Sequence, residues 1–213
     1  MKHKIVLVCG RENLSDDVQL HCQLVDFLES LEIQVIKEPF NGRHHIQAAL
    51  TEKIRKYLRF FNLIRLILDP LLSLHHRFKS QLLVQWRIRK LKPLLQLLDW
   101  ENTELYLIGR SAGAIVASKL AKKYPIKAII ALGYPFVHPN YGMQKYRVKH
   151  LSQMNKPVFI FQGNRDNYGN PEQICEISMS SCVQLIPLNT DHAFVLDEIS
   201  WEAFTSQLAQ IIS

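Results

Sequence analysis

The sequence predicts an α/β protein built on a doubly wound, mainly parallel sheet of six strands with a helical insertion. Short apolar runs alternate along the chain with longer segments whose apolar residues recur at helical spacing. The first run, Ile5 to Cys9, is uninterrupted and ends at Gly10, as expected of a strand buried on both faces. The 213 residues, 47% of them hydrophobic, suffice for one full core. We therefore expect residues 1–213 to form a single domain.

The strands follow from apolar runs that end at turn residues. After Ile5 to Cys9 come a run at residues 33–36, the run that leads into Gly109, and three more at 126–132, 157–161 and 182–187. Helical spacing is found in the intervening segments, from Val18 to Leu31, from Ala112 to near Tyr124, around 171–179 and from Ser200 to Ile212. This alternation is what a doubly wound sheet requires.

A long insertion separates the second strand from the third. Some 60 residues lie between them, about twice what a parallel crossover needs. Two helical stretches, about 45–68 and about 72–99, are broken near Asp69 and Pro70. We interpret residues 43–100 as a crossover helix that is elaborated into a helical hairpin, which forms a small cap or a partner surface.

The positive charge belongs to this insertion. The chain carries a net charge of +7, and the stretch from Arg43 to Lys92 alone holds twelve Lys and Arg against two acids, Glu52 and Asp69. The simplest interpretation is the solvated face of a cap helix pair. A protein partner or an anionic membrane surface bound through residues 43–92 are the alternatives, and we do not expect nucleic acid to be the partner.

Composition and motifs restrict the compartment and the cofactors. The four cysteines form no C-x-x-C pair, which indicates free thiols in a reducing compartment. The N-terminal apolar run is too short for a secretory signal, and no run approaches the roughly 18 apolar residues of a membrane span. We expect a cytoplasmic protein. No G-x-G-x-x-G or other phosphate-binding glycine loop is present, so we expect no nucleotide cofactor.

No metal site is expected either. The pairs His44-His45 and His75-His76 lie on predicted helices, where adjacent side chains point apart, so we interpret both pairs as surface residues.

The segment around Ser111 has the form of a nucleophile elbow. An apolar strand runs into Gly109-Arg110-Ser111-Ala112-Gly113, and a helix of small residues follows. Such a turn is crowded, and Gly109 and Gly113 supply the small residues two positions before and after the serine. The helix N-terminus behind Ser111 offers N–H groups to a developing oxyanion. The alternative is a structural tight turn with an inert serine.

Three polar residues of types used in nucleophilic catalysis each follow a different predicted strand. Ser111, Asp166 and His192 stand just after strand ends, in the chain order Ser, Asp, His that α/β-hydrolases use. Ligands of doubly wound sheets bind beyond these ends. Asp191 adjoins His192 and is a weaker candidate for the acid, because sequence neighbours rarely face each other across a site.

Over nearly its whole length the chain resembles the α/β-hydrolase superfamily, and most closely its small branch of dienelactone-hydrolase-like, KANL-type and testis-expressed-type hydrolase-like proteins. The resemblance is carried by four motifs. They are Gly-Arg-Ser-Ala-Gly at 109–113, Leu-Gly-Tyr-Pro-Phe at 132–136, Pro-Val-Phe-Ile-Phe-Gln-Gly-Asn-Arg-Asp at 157–166 and Asp-His-Ala-Phe at 191–194. It implies a minimal α/β-hydrolase fold with spatial strand order 2-1-3-4-5-6.

The resemblance also implies roles for single residues. Ser111 would be the nucleophile, His192 the general base and Asp166 the acid that orients the imidazole. The oxyanion hole would use the backbone N–H groups of Ala112 and Arg11. Relatives carry His-Gly-x-Gly after the first strand where this chain has Cys-Gly-Arg-Glu, so the histidine and the second glycine are absent.

The remaining residues predicted for the site concern a substrate pocket. Gly10 and the loop residues Tyr134, Phe136 and His138 follow strand ends and are candidates to line it. For His138 a purely structural role in the loop is an equal alternative.

Two functional hypotheses follow. The first is a cofactor-independent serine hydrolase that cleaves a carboxylic ester or a related small acyl compound through an acyl-Ser111 intermediate. The second is a catalytically weak or inactive hydrolase-fold scaffold that binds a partner through its basic helical segment. The Ser, Asp, His order favours the first, and the altered loop after the first strand favours the second.

Overall fold

A parallel sheet organises the computed structural model, which describes residues 2–10, 18–38 and 80–213. In chain order its first four strands are β1 (His3–Cys9), β2 (Gln34–Lys37), β3 (Thr103–Arg110) and β4 (Ala128–Leu132). Strands β5 (Val137–His138) and β6 (Gly142–Met143) form a separate hairpin, and β7 (Val158–Gly163) and β8 (Val183–Leu188) complete the sheet. The spatial order is β2-β1-β3-β4-β7-β8 with all neighbours parallel. Without the hairpin strands this is the order 2-1-3-4-5-6, and the predicted fold class is confirmed.

Helices connect and cover the strands. They are α1 (Val18–Ser30), α2 (residues 80–96), α3 (Ala112–Leu120), the single turn α4 (Lys145–Val148) with a 3₁₀ turn at Leu151–Gln153, and α5 (Glu198–Ile212). Asp197 accepts a hydrogen bond from the Ser200 N–H (2.8 Å) and so caps the N-terminus of α5.

Strand β3 occupies the interior of the sheet and carries the predicted elbow at its carboxyl end. Its central residue Leu107 lies opposite Leu7 of β1 on one side and Ile129 of β4 on the other. The strand is paired along both edges, and because helices cover both faces of the sheet its apolar stretch Leu105–Ile108 is buried on both sides. Ser111, the residue that follows it, therefore lies near the middle of the row formed by the carboxyl ends of the strands.

Side chains of β3 alternate between two cores. Leu105 and Leu107 belong to the cluster that α2 and α3 cover, whereas Tyr106 and Ile108 belong to the cluster that α1 and α5 cover. This period of two is the signature of a strand that packs on both faces. Layers of helix, sheet and helix result, as the sequence predicts.

Two local predictions differ from the structure. A helix is predicted around 171–179, but the chain forms a series of turns there. The fully buried side chain of Ile174 fixes this segment, and the Ile177 N–H donates three residues back to its carbonyl (2.9 Å), which closes a tight turn. The hairpin β5–β6 was not predicted, because its strands have only two residues each.

The predicted insertion lies only partly within the described residues. Its first helical stretch, about 45–68, falls outside them, as does the start of the second, while residues 80–96 are helical as expected. One of its cations, Arg87, is not on a solvated face: it is buried and donates to both carboxylate oxygens of Glu38. A role of residues 43–100 as a cap or partner surface stays a prediction. Within the described ranges, no helix combines the length and apolarity needed to cross a bilayer.

Candidate active site

Ser111 lies on a sharp turn between β3 and α3. Its backbone has φ +50° and ψ −117°, a left-handed conformation that is uncommon for a residue with a side chain. Its N–H donates to the Leu132 carbonyl (3.0 Å), which fixes the turn against β4. Such backbone strain costs about 1–3 kcal/mol and persists only where the surroundings impose it. Here it directs the serine side chain out of the sheet edge.

The two glycines of the elbow permit close packing of backbone on backbone. A Cβ atom on Gly109 would lie 2.4 Å from the Cα of Ala114, inside the first turn of α3. A Cβ atom on Gly113 would lie 2.0 Å from the carbonyl oxygen of Cys9, at the end of β1. Both distances are far below van der Waals contact, so any larger residue would displace α3 from the strands.

Ser111, His192 and Asp166 form a continuous chain of hydrogen bonds. The Ser111 Oγ lies 3.0 Å from Nε2 of His192, and Nδ1 of the same ring lies 2.9 Å from each carboxylate oxygen of Asp166. The three residues come from the turns after β3, β7 and β8. With Nδ1 protonated toward the carboxylate, Nε2 presents its lone pair to the serine hydroxyl.

All three residues are nearly withdrawn from solvent. The exposed fractions are 8% for Ser111, 7% for His192 and 1% for Asp166. Little water competes for their hydrogen bonds, so interactions between their charges are stronger than at a surface. The serine and the imidazole each keep a small exposed area, whereas the carboxylate has almost none.

Asp166 rather than Asp191 holds the histidine. Its Oδ2 accepts from Nε2 of the fully buried Gln162 (2.9 Å), and its Oδ1 accepts from the N–H of Tyr168 (2.7 Å). These donors leave the carboxylate one orientation, in which it faces the imidazole. Asp191 is exposed and instead accepts from the N–H of Ala193 (2.8 Å), within its own turn.

The ring of Tyr168 covers one face of the imidazole. The Tyr168 and His192 centroids are 4.0 Å apart with an interplanar angle of 27°, a stacked pair. The ring of His138 meets the edge of Tyr168 at 5.8 Å and also packs on Tyr141 at 4.6 Å. Tyr168 is not among the site residues that the sequence predicts. Its position two residues after the predicted acid, in the same turn, is a signal that could have placed it at the site.

The end of β1 lies against the N-terminus of α3, where the oxyanion hole is predicted. The Gly10 carbonyl accepts from the guanidinium of Arg87 (2.8 Å), and Ala112 is the first residue of α3. Arg11, the predicted second donor, lies outside the described residues. Burial raises the pKa of the nearby Cys9 thiol, which keeps it protonated and poorly nucleophilic.

The predicted pocket residues differ in their surroundings. Tyr134 and Phe136 are fully buried and pack on each other with centroids 4.7 Å apart. The Tyr134 hydroxyl donates to the Arg147 carbonyl (2.5 Å), and burial raises its pKa. His138 is half-buried beside Tyr168, and Gly10 is buried. Lining of a substrate pocket by these four residues stays a prediction.

A second pair of a serine and a histidine is formed by Ser118, which is fully buried, and His150. Ser118, in the last turn of α3, places its Oγ 2.7 Å from Nε2 of His150. Among the described residues, Nδ1 of this histidine has no hydrogen-bond partner. Burial, together with the positive charges of Lys119 and Lys122, lowers the pKa of His150 to about 3. The pair thus contains a neutral imidazole that resists accepting a proton.

In residues 2–10, 18–38 and 80–213, no group of three or more His, Cys, Asp and Glu side chains is placed to hold a metal ion. The polar groups of the Ser111 site are instead hydrogen-bonded to one another.

Solved structures with this fold include known hydrolases. The chain matches an alpha/beta serine hydrolase homologue from Coxiella burnetii with a TM-score of 0.52 and 15% identity, over 99% of this chain and 83% of that one. It matches the esterase Pf2001 of Pyrococcus furiosus with a TM-score of 0.57 and 13% identity, over 99% and 82% of the two chains. A lipase-esterase related protein from Clostridium acetobutylicum matches with 0.56 and 12%, over 98% and 94%. At these identities the likeness establishes the fold alone.

Similarity at the level of sequence points to the same group. No curated protein matches the chain in sequence. The family model described as "Alpha/beta hydrolase domain" matches residues 79–213, which is more than half of the chain and contains Ser111, Asp166 and His192. The chain therefore belongs to the alpha/beta hydrolase family.

Proposed function

We propose that the protein is a serine hydrolase that cleaves a small carboxylic ester or related acyl compound, with Ser111 as nucleophile, His192 as general base and Asp166 as the orienting acid. The observation that carries this proposal is the hydrogen-bond chain from Ser111 Oγ through His192 to Asp166, with links of 3.0 and 2.9 Å. Those lengths are within reach for direct proton transfer. The esterase from Pyrococcus furiosus with the same fold is consistent with this chemistry.

In the first half of the reaction, His192 Nε2 removes the hydroxyl proton while Ser111 Oγ attacks the acyl carbon. The carbonyl oxygen becomes an oxyanion, which the N–H of Ala112 at the start of α3 would stabilise together with the N–H of Arg11. The bond between acyl carbon and leaving oxygen then breaks. The imidazolium gives its proton to the departing alkoxide, and an acyl-Ser111 ester remains.

The second half repeats these steps with water. His192 takes a proton from a water molecule, whose oxygen attacks the acyl carbon. The carboxylic acid leaves, and the proton returns to Ser111 Oγ. Asp166 stays ionised throughout and stabilises the imidazolium in each half. These steps require no cofactor.

Labelling with a fluorophosphonate probe tests this proposal. The probe phosphonylates serines that a neighbouring base activates, so the wild type should be labelled and Ser111→Ala should not. Ser118→Ala is a matched control, because it removes a serine that also contacts a histidine Nε2. This control should be labelled at the wild-type rate.

Failure to label would favour the alternative scaffold function. If folded wild-type protein is not labelled, or if Ser111→Ala still reacts, the hydrolase proposal is wrong. The basic segment at 43–92 would then be the feature to test, by binding to vesicles that differ only in anionic lipid content.

A further inference from the structure

Arg110 is a buried cation inside the elbow motif itself. Arg110 directly precedes Ser111, and only 4% of its surface is exposed. One guanidinium nitrogen donates to the Leu132 carbonyl at the end of β4 (3.3 Å), and another donates to the backbone carbonyl of His192. One side chain thus connects the ends of two strands with the loop at residues 189–197, which carries His192 and is called the histidine loop below.

The position of the histidine loop in the sheet makes this connection important. The loop follows β8, and the order β3-β4-β7-β8 separates it from the elbow by two intervening strands. Because β8 is the last strand of the sheet that the described residues form, no further strand of that sheet holds the loop over Ser111. Arg110 reaches across that gap and binds the carbonyl of the histidine.

Two neighbours hold the guanidinium in place. It lies over the ring of Phe194, 5.7 Å from the centroid, and this phenylalanine is itself buried in the histidine loop. The second neighbour is Gly133, whose backbone has φ +60°. A Cβ atom there would lie 2.8 Å from a guanidinium nitrogen of Arg110 and 3.5 Å from Asp166 Oδ2, so the glycine leaves room for both groups.

We propose that Arg110 is a positioning residue that fixes the His192 backbone relative to the Ser111 strand, so that Nε2 stays within hydrogen-bond distance of the nucleophile. This inference rests on the proposed hydrolase function. The guanidinium suits the task because its planar fork can donate to two carbonyl groups at once, whereas a lysine ammonium is a point charge on a flexible chain.

A second buried arginine provides a matched control. Arg147 is 6% exposed, and its guanidinium donates to Gln144 Oε1 (2.8 Å) and to the Pro135 carbonyl (3.2 Å). It therefore resembles Arg110 in burial and in bonding to backbone. Neither of these two acceptors belongs to the Ser111, His192 and Asp166 chain. Removing either arginine should lower stability, and only removing Arg110 should disturb that chain.

The experiment compares Arg110→Met, Arg110→Lys and Arg147→Met with the wild type in hydrolysis of p-nitrophenyl acetate. A misplacement of about 1 Å at a reacting group costs roughly 10²-fold in rate. We therefore expect kcat of Arg110→Met to fall about 10²-fold and that of Arg110→Lys about tenfold, with KM within about threefold. Arg147→Met should keep kcat within about threefold while its Tm falls comparably.

A spectroscopic measurement makes the test independent of turnover. The proton between His192 Nδ1 and Asp166 should give a low-field proton resonance in the wild type and in Arg147→Met. It should broaden or vanish in Arg110→Met. If that variant does not fold, Arg110→Lys is measured in the same way.

The inference is overturned if both folded Arg110 variants keep the resonance and a kcat within about threefold of the wild type. If Ser111 proves unreactive to the fluorophosphonate, the proposed function fails by itself. The resonance then still decides whether Arg110 positions His192.

Discussion

Two serine and histidine pairs among the described residues have similar Oγ–Nε2 distances but different surroundings. Ser111 Oγ lies 3.0 Å from His192 Nε2, and Ser118 Oγ lies 2.7 Å from His150 Nε2. The first serine occupies a strained turn at the sheet edge, whereas the second is fully buried within α3.

The second nitrogen of each ring marks the difference. His192 Nδ1 meets a carboxylate, while His150 Nδ1 is buried with no hydrogen-bond partner among the described residues. A base must accept a proton in order to activate serine, and burial makes this unfavourable for His150, whose pKa is lowered to about 3. Proximity of a serine and a histidine is therefore insufficient. A reactive pair also needs a charge partner for the imidazole and a serine that is not fully buried, and Ser111 is 8% exposed whereas Ser118 is 0% exposed.

The largest expected effect is the difference in kcat between the variants Ser111→Ala and Ser118→Ala. Ser111→Ala should lower kcat for p-nitrophenyl acetate roughly 10⁶-fold, because the proposed nucleophile is lost. Ser118→Ala should stay within about threefold and change mainly Tm. Steady-state kinetics of both variants measures this, and similar losses in the two would remove the distinction between the pairs.

The carboxylate is the next difference to test. Asp166→Asn should lower kcat by roughly 10³–10⁴-fold, since an amide can stabilise neither the correct tautomer nor the imidazolium. Asp191→Asn is the matched control and should cost less than about threefold, because Asp191 is exposed and bonds within its own turn. The assignment of the acid would be wrong if Asp191→Asn proved the more damaging change.

The buried histidine should make the fold sensitive to acid. The pKa of His150 is about 3 in the folded protein and about 6.5 when unfolded, so between these values the unfolded chain binds more protons. Above about pH 6.5 His150 is neutral in both states and does not lower the free energy of unfolding. As the pH falls from there toward 3, protonation of the unfolded chain lowers that free energy progressively. Urea unfolding gives the free energy of unfolding of the wild type and of His150→Gln. The difference between the two proteins should change by about 2 kcal/mol from pH 7.5 to pH 5. Parallel pH profiles would contradict this.

The smallest effect should come from the ring that covers His192. Tyr168→Ala removes the stack and should lower kcat roughly three- to tenfold, in line with about 0.5–1.5 kcal/mol for an aromatic pair. Tyr168→Phe keeps the ring and the backbone N–H that donates to Asp166, so it should match the wild type. Equal losses in the two variants would assign the effect to the hydroxyl instead.

The sequence predicts what depends on patterns and misses what depends on single contacts. Apolar runs located the strands, and the residues just after three of them, Ser111, Asp166 and His192, are the ones that the structure brings together. Arg110 and Gln162 had no such signal, because a polar residue inside an apolar run shows its role only when its partners are known. The charge pattern places Arg87 on a solvated face. In the structure it is buried and paired with Glu38, which follows the outermost strand β2.

A crystal structure of the wild-type protein after reaction with a phosphonate inhibitor tests the central claim most directly. The account predicts phosphorus bonded to Ser111 Oγ, a phosphoryl oxygen that accepts from the Ala112 N–H, and His192 Nε2 within hydrogen-bond distance of the adduct. An adduct on Ser118 or on any other residue, or unmodified Ser111 beside an intact His192–Asp166 pair, would contradict it.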